Sequence, residues 1–202
     1  MRTLTLLSSS PAATFTEPLT AAEVERFLGL ASLSPADSER DALIDGLIAS
    51  AREMAENFQG RDLAQKQWEL RLDSFEDTEI ELRQPLIAVE LVQYTDSDAA
   101  ETSLVETTDY ITDLHKGMIR PPYGETWPSF TAYPTSAVLV RFTSGYDSDD
   151  AFWSDAGRRI KIGMKLLIAD WFHNRLPRSL SEEEVPAAIR ALLSGGALPR
   201  AH

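Results

Sequence analysis

Three histidines, His115, His173 and His202, are the first residues to test for acid–base or metal chemistry. They lie far apart, with no HExxH and no second histidine at helical spacing, whereas metal and acid–base sites need clustered partners. Carboxylates are plentiful, 32 among 202 residues, so a pair can be drawn anywhere. A glycoside hydrolase needs two of them about 5–9.5 Å apart across a cleft, and nothing singles such a pair out. Asp147-Ser148-Asp149-Asp150 has the residue type of a calcium site but neither the spacing nor the bidentate Glu of an EF-hand loop; aspartates suit a turn and a helix start equally well. There is no Gly-rich phosphate loop and no GxSxG nucleophile elbow. Cysteine is absent, which removes disulfides, thiolate metal sites and thiol nucleophiles. The expectation is a protein without a catalytic centre, metal or cofactor, which works by binding other macromolecules.

Side chains suited to binding are easier to find. Trp68, Trp127, Trp153 and Trp171 fit core packing, since a buried indole supplies large apolar area. They also fit interface anchoring, where Trp and Arg are enriched. Trp171-Phe172-His173-Asn174-Arg175 is the most suggestive cluster. It gives a helix end aromatic bulk, and Arg175 can bond the last free carbonyls or a partner carboxylate.

The elements that must position these residues follow from period and punctuation. Residues 1–17 read as extended and loosely held. Thr20-Ala21-Ala22-Glu23 is a capping box, opening a short helix that carries Val24, Phe27 and Leu28 inward and ends near Gly29. Ser34-Pro35-Ala36-Asp37 is a second helix start. After it Leu43, Ile44, Leu47, Ile48, Ala51, Ala55 and Phe58 recur at helical spacing, with Asp41, Asp45, Arg52, Glu53 and Glu56 covering the other face. Gly60 stands where a left-handed C-terminal residue is wanted.

The period then changes to two. Trp68, Leu70 and Leu72 alternate with polar residues, Ile80 and Leu82 repeat the pattern, and Leu86–Tyr94 is a longer strand closed by the turn Thr95–Asp98. Weaker strands fall at 103–106, 110–112 and 118–120, and Ala137–Phe142 is a strong last strand. Short strands at regular spacing argue for an antiparallel sheet or small sandwich. Pro121–Pro134 reads as an ordered loop. From Arg158, Ile160, Met164, Leu167, Ile168 and Trp171 form one apolar stripe, ended by Asn174 and Pro177. A last helix covers about Pro186–Leu193, capped by Ser181 with Glu184 or starting directly at Pro186.

The fold class expected is α+β: a helical bundle of three to four helices with an inserted antiparallel β lobe. Residues 18–60 and 151–195 form the helical core, 62–146 the inserted lobe, and 1–17 and 196–202 flexible termini. The composition, 43% apolar and 25% charged, can bury a core of this size. Net charge is −13, which disfavours wrapping a duplex in a basic groove. It suits plain solubility, or a surface that stays near nucleic acid without adhering to it. No apolar run approaches the roughly 18–20 residues of a membrane span, and Met1–Ser10 lacks the apolar core of a signal peptide, so a cytoplasmic setting is expected.

The ordered pattern as a whole carries more than any one site. It comprises Glu17-Pro18-Leu19-Thr20, the helix Ala42–Ala51, Phe58-Gln59-Gly60-Arg61, Gln67-Trp68-Glu69-Leu70 and Leu72-Asp73-Ser74-Phe75. It continues with Pro85-Leu86, Asp109-Tyr110, Trp127-Pro128, Val138–Val140 with Phe142-Thr143-Ser144-Gly145-Tyr146, Trp171–Arg175, and Val185–Leu193. In this order, from about Pro18 to Leu193, the sequence resembles the head–tail connector, or adaptor, family of tailed phages and related gene transfer agents. Gln59 stands where that family commonly has Thr, and His173 where it has Glu.

The resemblance implies a structural virion protein rather than an enzyme, assembled in the host cytoplasm and placed at the head–tail interface. It implies a ring, typically dodecameric, beneath the portal protein, joined to a stopper or tail-side protein, with DNA passing through the channel without specific binding. Such a ring has heterologous interfaces closed by rotation. Trp171 and Arg175 are the partner-binding candidates on the long helix, and the C-terminal residues Arg190, Leu193, Leu198 and Arg200 are those for portal docking, because a segment that orders on binding can wrap a partner. Two alternatives stand beside this: another minor virion protein of the stopper or tail, and a small-molecule-binding protein or hydrolase using the β lobe.

Overall fold

Thr20 opens the first helix with the expected reciprocal cap: its hydroxyl accepts from the Glu23 N–H at 3.2 Å, and the Glu23 carboxylate accepts from the Thr20 N–H at 3.0 Å. The computed structural model describes residues 2–8, 17–30, 38–75, 78–147, 150–173 and 185–194. Helix α1 spans Ala21–Leu28 and ends at Gly29, whose φ of 74° is left-handed. Helix α2 spans Ser38–Gln59 and is followed by Gly60 at φ 68°. The start signal at Ser34–Asp37 lies outside the described residues. A 3-10 turn at Ala151–Ser154 precedes α3, Gly157–His173, and α4 is Ala187–Leu193, starting directly after Pro186 with no side-chain cap.

Among the described residues there are eight strands: β1 Arg2–Ser8, β2 Lys66–Leu72, β3 Ile80–Glu81, β4 Leu86–Thr95, β5 Glu101–Ser103, β6 Ile111–Asp113, β7 Met118–Arg120 and β8 Val138–Ser144. They form a five-stranded sheet of order β1-β2-β8-β4-β5 and a three-stranded sheet of order β3-β7-β6. All strand pairs are antiparallel. The α+β class with antiparallel sheets is as expected.

The chain divides into two compact units that interleave along the sequence, residues 1–15 with 64–146, and 16–63 with 147–202. The β unit is built on one apolar layer. Leu70, Leu72, Val92, Val138, Val140 and Phe142 lie on one face of the large sheet, and Ile80, Leu82, Tyr110, Ile119 and Trp127 join the same core. In the helical unit α3 packs against α1, α2 and α4, burying Val24, Ile44, Ile48, Ala51, Ala55, Ile160, Met164, Leu167, Ile168 and Leu193.

Three expectations differ from the structure. Residues 2–8 are not a loose extension but strand β1, in register with β2 from Arg2↔Leu72 to Leu6↔Trp68. Phe27 and Leu43, read as inward, are 48% and 52% exposed. Each flanks the apolar stripe of its helix, and the tighter positions Val24 and Ile44 take the core. Arg52 and Glu56, read as solvent-facing, are buried.

Candidate functional site

Arg52 and Glu56 lie on the i, i+4 ladder that also carries Ile44 and Ile48, so α2 turns both charges inward. The Arg52 guanidinium donates from Nη1 to Glu56 at 2.9 Å, and from Nε to the two Glu17 oxygens at 3.0 and 3.2 Å. The other Glu56 oxygen accepts the backbone N–H of Leu63 at 3.0 Å. One arginine between two carboxylates thus ties the entry to α1 and the exit from α2 to the middle of α2. Such charge-assisted bonds are short and directional, so they fix the positions of the groups they join.

The next turn is equally occupied. Gln59 is buried and donates its amide to the Leu193 carbonyl at the end of α4. Its carbonyl oxygen accepts from Arg61 at 2.8 Å, and the Arg61 guanidinium lies 5.3 Å from the Phe152 ring centre. Across from this, α4 comes close to α3 because Gly163 has no side chain: a Cβ there would stand 2.8 Å from Leu193 Cδ2.

This junction decides where the residues singled out for binding sit. Trp171 is half-buried on the last turn of α3. Arg190 is half-buried on α4, with its guanidinium 5.8 Å from the Phe58 ring centre. Leu193 is fully buried against Gly163, so it is a packing residue of the helical unit rather than a surface anchor. Arg175, Leu198 and Arg200 lie outside the described residues. The structure brings Arg190 and Leu193 together on α4. The ladder Ile44-Ile48-Arg52-Glu56, with i, i+4 spacing shared by apolar and charged residues, is the signal in the sequence that marks this pair as inward-facing.

Burial disfavours the charged form of Glu23, but the Thr20 N–H and the nearby Lys165 and Lys161 outweigh it and hold its pKa below the usual carboxylate value. Lys165 Nζ lies 3.6 Å from that carboxylate, on the rim of an open hollow shared with Arg26 and Phe27. In the β unit burial also opposes the charge of Glu69, and hydrogen bonds from Arg141 and Arg71 again outweigh it and lower the pKa. Those contacts are 3.0 and 2.6 Å. Both carboxylates are committed anions, the opposite of a general acid with a raised pKa. Among the described residues no group of three or more His, Asp or Glu is placed to hold a metal ion, and no helix is long and apolar enough to cross a membrane.

Trp127 and Trp153 take the packing role. Trp127 stacks on Phe75 at 4.7 Å between ring centres and 4° between planes, with Phe130 and Tyr94 edge-on to Phe75. Trp153 donates its indole N–H to the Asp147 carbonyl at 2.9 Å, and Lys161 Nζ lies 5.2 Å from its ring centre.

No protein-family model matches the sequence, and no curated protein does. Solved structures do match in fold. A chain from the neck of an empty GTA particle, computed with C6 symmetry, superposes with a TM-score of 0.66 at 21% identity, covering 95% of this chain and 93% of that one. A chain from the virion of a native gene transfer agent (GTA) particle gives 0.66 at 18% identity, covering 94% and 92%. A chain from the neck of a native GTA particle, computed with C12 symmetry, gives 0.60 at 19%, covering 95% and 92%. These neighbours agree with the resemblance carried by the sequence: over nearly its whole length, this chain has the fold of a chain found in the neck of gene transfer agent particles.

Proposed function

We propose that this chain is a structural head–tail adaptor of a phage or gene transfer agent particle, not an enzyme. It forms a ring beneath the portal, extends the DNA channel and joins the capsid to the stopper or tail. The observation that carries this reading is the fold shared with neck chains over 95% of the sequence. The C6 and C12 symmetries of those particles support a ring. A net charge of −13 suits a channel wall that lets DNA slide past, since attraction to phosphates needs basic surface. The buried Arg52–Glu56–Glu17 cluster of the helical unit suits a rigid part that keeps its shape under load.

Within this reading Trp171 and Arg190, together with Arg175, Leu198 and Arg200, form the portal-facing region. Leu193 contributes by holding α4 against α3. The test is reconstitution. Mixed with the portal protein encoded beside it, the purified chain is expected to co-migrate on sizing and to add a ring visible by negative stain. A chain that stays separate from that portal at micromolar concentration would count against the reading.

A further inference from the structure

The large sheet has two open edges, and they match. On one side β1 pairs with β2 through Thr3↔Arg71 to Leu6↔Trp68, and no strand pairs with its outer side among the described residues. On the other side β5 covers β4 only at Gln93–Thr95, and Leu104 donates to the Val92 carbonyl just before it. The outer side of Ile87–Leu91 has no strand neighbour among the described residues. Each open stretch is about five residues, roughly 17 Å of strand.

The β1 edge is the less protected of the two: β4 shifts register at Leu86/Ala88 and Val89/Leu91 and carries Glu90, whereas β1 stays in register from Arg2 to Leu6, with its one charge, Arg2, at the end. Exposed edges are blunted by proline, lysine or inward charges, and Thr3-Leu4-Thr5-Leu6-Leu7 has none of these. Leu4 and Leu6 are 39% and 44% exposed although they lie on the same face as buried Leu70 and half-buried Trp68. The apolar layer of the β unit therefore runs out to the edge uncovered. At the far edge Ile87 is 38% exposed, and Leu86 and Val89 carry the same apolar face through Ser144 and Phe142. The opposite face carries Thr3 and Thr5 on β1, and Ala88 and Leu91 on β4.

Strand direction settles which edges fit. Every neighbour in the order β1-β2-β8-β4-β5 is antiparallel, so β1 and β4 point in opposite directions. A second copy related by rotation about an axis along the strands would present its β1 antiparallel to this copy's β4, in line with β5. Its Leu4 and Leu6 would then continue the face of Leu86 and Val89. We propose that β1 of one copy pairs with the Ile87–Leu91 edge of β4 in the next, joining the sheets into a continuous belt around the ring. The contact is heterologous, so repetition by rotation closes it, and main-chain hydrogen bonds supply the affinity as in other strand additions. This deepens the adaptor reading and rests on it.

The absence of cysteine makes the test clean. Thr5→Cys/Ala88→Cys and Thr3→Cys/Ala88→Cys place thiols on this opposite face at both edges. In purified particles, mild oxidation of at least one double variant is expected to give a reductant-sensitive ladder of multimers of this chain. Particles assembled from a mixture of the matching single variants are expected to give dimers only, and each single variant alone none. Dimers from Thr5→Cys or Thr3→Cys alone would show two β1 edges meeting about a two-fold and would overturn the proposal. Tailed particles that contain the chain by immunoblot but give no ladder from either double variant would overturn it too, leaving the adaptor reading intact. Particles that assemble and infect or transfer DNA without the chain would overturn both.

Discussion

In the helical unit Arg52 and Glu56 are 5% and 4% exposed and bond each other, whereas in the β unit Leu4 and Leu6 are 39% and 44% exposed. One unit ties its helices together through an interior ion pair, Arg52 with Glu56 and Glu17. The other builds an apolar layer and leaves it open at the margin. A buried ion pair adds little net stability over apolar side chains of the same shape, but breaking one is costly, so it penalises alternative packings. An open edge favours a partner instead. The contrast suggests a division of labour, with the helical unit as a fixed-geometry part and the β unit as the part that joins to neighbours.

Four measurements test this difference between the units. The largest effect is expected from Arg52→Ala, which leaves Glu56 buried without its cation: a loss of about 3–5 kcal/mol in urea unfolding, changed little by salt because buried pairs are poorly screened. A loss under about 1 kcal/mol would mean the charges are not held as described. Gly163→Val is next, at about 1–3 kcal/mol from overpacking, because the new side chain meets Leu193 and Leu192. The melting temperature reads it, and the companion Leu193→Ala should relieve part of the clash in a double-mutant cycle. Thr20→Ala removes one half of the capping box, for about 1 kcal/mol, visible as faster amide exchange at Glu23 and Val24.

The smallest effect concerns acid. The folded pKa of Glu69 lies below its unfolded value, so its contribution is fully present above the ordinary Glu pKa of about 4.3 and is lost as pH falls through the folded value. Glu69→Gln should flatten the stability profile below that pH and leave its neutral side parallel to wild type. An unchanged acid limb would show that Arg71 and Arg141 do not hold the carboxylate.

Much of this architecture is legible in the sequence because its signals are local. Thr20 with Glu23, Gly29 and Gly60 mark helix ends through bonds and backbone angles that involve only a few residues. Met118–Arg120 and Val138–Ser144 lie where short apolar runs in the sequence place strands. What stays hidden depends on distant partners. Thr3–Leu7 alternates like a strand but is too short to stand alone, and only β2, more than sixty residues away, fixes it. Arg52 and Glu56 look like a solvated face until Glu17 and the Leu63 N–H are seen beside them. Leu193 reads as an end-of-chain anchor because Gly163, which receives it, lies thirty residues earlier on another helix.

If the chain joins head to tail, deleting its gene from a particle-producing host should separate the two in images of the products. Filled or leaking heads and separate tails are expected, with joined particles restored by supplying the chain in trans. Joined, functional particles in the deletion strain would contradict this role.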